Sequence, residues 1–177
     1  NSMAEELVAS DIRVAKTLPS KFYYGEEIFK SLKSTFNGWQ FAVHDSEMNE
    51  NSIIPLDHIE AITGEPTIIV RGEKTQCLSN ICTHRGMRLA LQPCTKSILQ
   101  CEYHGRTFDL NGKMKHMPEF EQAIDFPSES DNLRNFSMHR WKGLHFVSQD
   151  SEQHLPWAEI GNRFEFLNIE SFVHDPS

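Results

Sequence analysis

A mainly β, antiparallel domain preceded by a single helix is the fold class this sequence predicts. Three observations carry that expectation. Short runs of β-branched and aromatic residues recur from Trp39 to Ser148, turns rich in Gly and Asn separate them, and helical periodicity is confined to one early stretch. The 177 residues suffice for one domain with a real core plus extensions.

In chain order, Asn1-Ser2 ahead of Met3 reads as a cloning remnant. Residues 26–37 form the predicted helix, with Ile28, Phe29, Leu32 and Phe36 on one face and Asn37-Gly38 as its stop; it is expected to pack rather than to bind a partner. Trp39, Phe41 and Val43 alternate as a half-buried strand does. Residues 45–52 are polar and read as a loop, and residues 53–62 as a short strand and turn. Strands at 67–71 and 75–80 flank the connection Gly72-Glu73-Lys74, and 98–100 is a further strand. Residues 107–110 and 113–117 make a hairpin about Asn111-Gly112, a type I′ signal. A loop with Pro127 spans 125–132, and strands at 133–139 and 144–148, joined near Gly143, form the last hairpin.

The tail from Asp150 to Ser177 carries Trp157, Ile160, Phe164, Phe166, Leu167, Ile169 and Phe172, too many large apolar side chains for a solvated linker. It is expected to cover the β-domain or to begin another. The domain division is therefore an N-terminal extension at 1–38, the β-domain at 39–149 and a C-terminal segment at 150–177.

A net charge of −8 argues against a general nucleic-acid binder. Between His84 and His116 the balance reverses: Arg85, Arg88, Lys96, Arg106, Lys113 and Lys115 outnumber Glu102 and Asp109, a local +4 against −12 elsewhere. Ordinary surface variation and a docking patch for an acidic electron donor are both open readings. No run of about 18 apolar residues and no signal-peptide pattern occurs, so a soluble, cytoplasmic, membrane-free protein is expected. In that compartment Cys77, Cys82, Cys94 and Cys101 bind metal or stay reduced.

Function is concentrated between Cys82 and His104. Cys82-Thr83-His84 is followed, after sixteen residues, by Cys101-Glu102-Tyr103-His104. Two Cys and two His in two short pairs suit a [2Fe–2S] centre in which thiolates hold one iron and imidazoles the other. Gly86 and Gly105 place each pair at a tight loop that can curl round a compact cluster. A structural zinc site in a binding module also favours two Cys and two His, but the Cys-x-His spacing suits it poorly. Cys77 and Cys94 read as buried or free thiols, and His116 and His145 as core or surface histidines.

Cys82-Thr83-His84-Arg85-Gly86 with Cys101-Glu102-Tyr103-His104-Gly105 resembles the Rieske motif of the aromatic-ring-hydroxylating oxygenase α-subunit family. The likeness extends over roughly 17–150, through Leu18-Pro19 to Tyr24, the helix after it, Trp39, Gly64-Glu65-Pro66, Arg71, Asn80, the 108–113 turn and the 143–147 strand. It implies a Rieske-type antiparallel β-sandwich with a small cluster-binding subdomain. Cys82 and Cys101 would hold one ferric iron, and His84 and His104 the outer iron that gains the electron. The domain would pass electrons from a reductase or ferredoxin to a mononuclear iron in the catalytic domain of the same or a neighbouring subunit, as a homotrimer in full-length form.

The Asp/His/His motif of that second iron has no match after Asp150, where the histidines are His154 and His174. No catalytic residue is assigned, and this chain alone is expected to carry electrons without hydroxylating. A free-standing Rieske ferredoxin-like carrier is the alternative. Quinol-oxidising Rieske proteins brace their loops with a disulfide at positions that resemble Met87 and Tyr103 here, and place Ser where Arg106 stands. These departures imply a midpoint below about 0 mV. Arg106 also departs from the Trp common in the oxygenase family.

Overall fold

The computed structural model describes residues 9, 11–35, 38–149 and 155–175. It divides into two compact units, 1–36 and 37–177. The first carries helices α1 (Lys21–Tyr24) and α2 (Glu26–Thr35). Phe29 and Leu32, expected to pack, are 65% and 49% exposed, while Phe36 and Asn37 lie outside the described residues.

The second unit is antiparallel throughout its named strand pairs. Its large sheet contains β1 (Gln40–His44), β2 (Ser52–Pro55), β3 (Thr67–Arg71), β4 (Thr75–Ser79) and β5 (Cys94–Thr95). A small sheet of β6 (Leu99–Gln100), β7 (Thr107–Phe108) and β8 (Met114–His116) follows in the chain. The large sheet is completed by β9 (Asn135–Trp141) and β10 (Leu144–Ser148). Its seven strands run in the order β1-β10-β9-β4-β3-β2-β5.

Period-two alternation divides the interior. Ile68 and Val70 of β3, with Leu78 of β4 and Ile53 of β2, enter one core together with Leu99, Phe108 and Met114 of the small sheet. Ile69 and Cys77, one residue out of step, enter the other core with Val43, Val147, Phe136 and Ile59. Both faces of β3 are therefore covered, which is why Thr67 to Val70 are all buried.

Two turns differ from expectation. The stretch after β2 is a helix, α3 (Asp57–Thr63), closed by Gly64 at φ 77° with its N–H on the Glu60 carbonyl. Seven residues are too few for periodicity to declare a helix, although Asp57, Glu60 and Gly64 carry its end signals. At β7–β8 the Gly112 N–H bonds the Asp109 carbonyl at 2.9 Å, and positive φ falls on Gly112 but not on Asn111. That is a type I turn closed by a left-handed glycine, not type I′. The type I′ geometry belongs to Lys142-Gly143 between β9 and β10, where both φ values are positive (46° and 84°).

The described part of the tail meets the β-domain at Trp157, while Phe166, Phe172 and Val173 stay exposed. In α4 (Trp157–Arg163), Trp157 stacks on His139 at 4.0 Å and meets Trp39 edge-on, while Lys142 Nζ reaches the carbonyls of Glu165 and Leu167. His154 lies outside the described residues.

At the open end of β1, Asp45 accepts from Arg140 Nε at 3.1 Å and pairs with His145 Nε2 at 2.7 Å. The Arg140 guanidinium, with His145 behind it, holds the Asp45 carboxyl down at about 2 against the opposing effect of burial. A depressed carboxylate stabilises the fold above its unfolded value near 4, and the contribution is lost as pH falls toward 2. Arg140 is half-exposed, so screening limits it to about 1 kcal/mol. Asp45→Asn is expected to lower stability by that amount at neutral pH and to flatten the acid limb between pH 4 and 2, as read by urea melts.

Candidate metal centre

The two halves of the motif fold into two loops of the same type. The Cys82 N–H bonds the Met87 carbonyl at 2.8 Å and the Gly86 N–H returns to Cys82 O at 3.1 Å; Cys101 with Arg106, and Gly105 with Cys101, repeat this at 2.8 and 3.0 Å. Gly86 and Gly105 sit at φ 73° and 74°, a conformation that costs an L side chain energy, and a Cβ on Gly105 would also press Pro118 at 3.2 Å. The end of β4 delivers the first loop, and β6 and β7 flank the second.

All four predicted donors come together, sorted by element. The Cys82 and Cys101 thiols are both buried at 2% exposure, and Cys101 raises the cost of ionising Cys82. The His84 and His104 rings sit further out, with centroids 4.8 Å apart and planes at 70°. Burial pushes the Cys82 thiol up, the His84 backbone N–H opposes it, and Cys101 adds to the rise. Desolvation, then the charges of His104, Arg106 and Arg85, hold His84 below its ordinary value, which favours the neutral ring.

This arrangement fits a two-iron cluster, with sulfur donors on the inner side and nitrogen donors on the outer. Zinc needs all four donors around one ion. Among the described residues no three His, Cys, Asp or Glu side chains are placed to hold a single ion.

The other candidates fall outside it. Cys77 belongs to the opposite core, where burial pushes its thiol up to about 12. Cys94 is partly buried against the core on the cluster side. His116 is exposed on β8, and His145 is buried against Asp45.

Supports that sequence reasoning did not find surround the loops. Asn80 is 1% exposed; its Nδ2 donates to Ala90 O at 2.7 Å and its Oδ1 accepts from the N–H groups of Leu89 and Ala90. Tyr103 lies against His104 at 3.8 Å, and Phe120 faces His84 at 6.4 Å. Ser128 and Asp131 form a capping box, a spacing visible in the sequence, and so aim Asp131 at Arg106. Three of the six cations in the 84–116 stretch are paired, Arg88 with Glu60, Lys115 with Asp109 and the buried Arg106 with Asp131, whereas Arg85, Lys96 and Lys113 are exposed. Burial and pairing are tertiary facts that a charge count does not register.

Residues 38–136, more than half of the chain, match the Rieske [2Fe-2S] domain family, and the chain belongs to it. Oxygenase subunits are among the proteins it resembles. The carnitine monooxygenase oxygenase subunit of Escherichia coli K12 is 28% identical over 142 residues, covering 77% of this chain and 37% of that protein. The 2-aminobenzenesulfonate 2,3-dioxygenase subunit alpha of an Alcaligenes species is 27% identical over 93% of this chain and 43% of its own. Among solved structures, the quaternary ammonium Rieske monooxygenase CntA in complex with L-carnitine superposes with a TM-score of 0.76 at 26% identity, covering 89% of this chain and 47% of that one. The chain spans less than half the length of the curated relatives it matches. Among the described residues no helix is long and apolar enough to cross a membrane.

Proposed function

We propose that this chain carries single electrons as the N-terminal Rieske domain of an oxygenase subunit, taking them from a reductase or ferredoxin and passing them to a mononuclear iron in a catalytic domain of the same or a neighbouring subunit. Cys82 and Cys101 hold the inner iron as thiolates, and His84 and His104 hold the outer one. When bound, the [2Fe–2S] cluster supplies one-electron storage. The chain supplies the rest: buried thiols keep water from the sulfur side, the exposed His104 and part-exposed His84 rings give a short exit to the surface, and Tyr103 and Phe120 pack against those rings.

The observation that carries this reading is the sorting of donors, thiols inside and imidazoles outside, on two equivalent loops. Matches to oxygenase subunits that reach well beyond 38–136 favour an oxygenase domain over a free-standing carrier. Metal analysis tests it. About two irons and two acid-labile sulfides per chain, with a visible spectrum that bleaches on reduction, are expected. A colourless protein holding one zinc would overturn it.

His104→Cys is expected to retain a cluster but lower its midpoint, because thiolate charge returns to the outer iron. A dye-mediated titration reads the shift, and an unchanged midpoint in a fully loaded variant would remove His104 from the donor set.

A further inference from the structure

The electron-carrying reading uses four donors and leaves Arg106 without a task, although few cations are so enclosed. It is 4% exposed. Its Nη1 donates to Thr83 Oγ1 at 2.8 Å and to Asp131 Oδ1 at 3.2 Å, its Nε reaches Met117 Sδ at 3.3 Å, and its guanidinium carbon stands 5.3 Å from the centre of the Phe126 ring. Its own carbonyl closes the second loop on the Cys101 N–H. Thr83 lies between Cys82 and His84 in the first loop, and its hydroxyl donates to the Asp131 carbonyl at 2.7 Å. One side chain therefore ties both donor loops together and presents a buried positive charge to them.

We propose that Arg106 is a positioning residue that locks the two loops to each other, and that its fixed charge, balanced in part by Asp131, favours the reduced form of the cluster. The proposal rests on the electron-carrying reading. Reduction adds one electron from a one-electron donor; no bond forms or breaks and no proton moves at Arg106. The extra negative charge is met by a cation that solvent does not screen, and such a cation acts far more strongly than an exposed one such as Arg85. Arg106 thereby opposes the low potential expected from the absent disulfide.

Midpoint titration of the cluster-loaded protein with redox mediators at fixed pH tests this. Arg106→Gln is expected to lower the reduced-to-oxidised ratio at a given poise about tenfold, which is about 59 mV for one electron. Asp131→Asn is expected to move it the opposite way, by roughly threefold, because the counter-charge is removed. Arg106→Lys should hold the midpoint while losing resistance to urea, since one ammonium cannot reproduce the fork. Opposite signs for Arg106→Gln and Asp131→Asn support the proposal; shifts of one sign, or none, overturn it. If Arg106→Gln does not load, Asp131→Asn decides alone, an upward shift supporting the proposal and any other result overturning it. A wild-type protein without a [2Fe–2S] spectrum would sink the electron-carrying reading, whereas a normal spectrum with unmoved midpoints would sink only this one.

Discussion

Cys101→Ala is expected to reduce bound iron at least about tenfold and to bleach the visible spectrum, because on the proposed assignment only one of the two buried sulfurs would remain for the inner iron. The variant should also unfold at lower denaturant, since metal affinity adds to folding free energy where the donors belong to the native loops. Cys77→Ala provides the contrast. That thiol lies in the opposite core, so its loss should cost packing and leave iron content unchanged. Full iron in Cys101→Ala, or lost iron in Cys77→Ala with the fold intact, would show that the inner donors are misassigned.

Asn80→Ala should give the second large effect, about 3 kcal/mol of stability. The Ala90 N–H and carbonyl would be left buried without their side-chain partner, whereas the Leu89 N–H retains the Asn80 backbone carbonyl at 3.1 Å. For a chain of this size that is a fall of roughly 6–12 °C in Tm. Asn80→Asp should do no better, because its carboxylate would meet the Ala90 carbonyl in place of a donor. The loss should be accompanied by faster release of iron to a chelator, as Asn80 holds the return limb of the Cys82 loop. A variant as stable as wild type would show that water or backbone movement satisfies those groups.

How much was legible follows from which signals are local. The proposed donors stand out in the sequence because a cluster demands particular elements at tight spacing, and the Cys82 and Cys101 loops that carry them are each closed within a few residues. The β3–β4 hairpin was readable because the β-branched run at 67–71 and the Gly72-Glu73-Lys74 connection are also local. Turn type was not: Asn111-Gly112 has the composition of a type I′ turn, but a register shift between β7 and β8 places the turn one residue earlier. Helix α3 was hidden by its length. Arg106 was the hardest to read, since its sequence neighbours give no sign that Thr83, Asp131 and Phe126, from 20 to 25 residues away, enclose it.

The partition of the interior by β3 and β4 also determines what a substitution reports. Neighbouring residues such as Ile68 and Ile69 lie on opposite sides of a wall one strand thick. Truncating Ile69 or Cys77 perturbs the compartment shared with α3 and the β1–β10 pair, and its readout is melting temperature. Truncating Ile68 or Leu78 perturbs the compartment that contains Cys82, Cys101 and the small sheet, and its readout extends to colour and midpoint. A scan along one strand should thus alternate, residue by residue, between a structural phenotype and an electronic one.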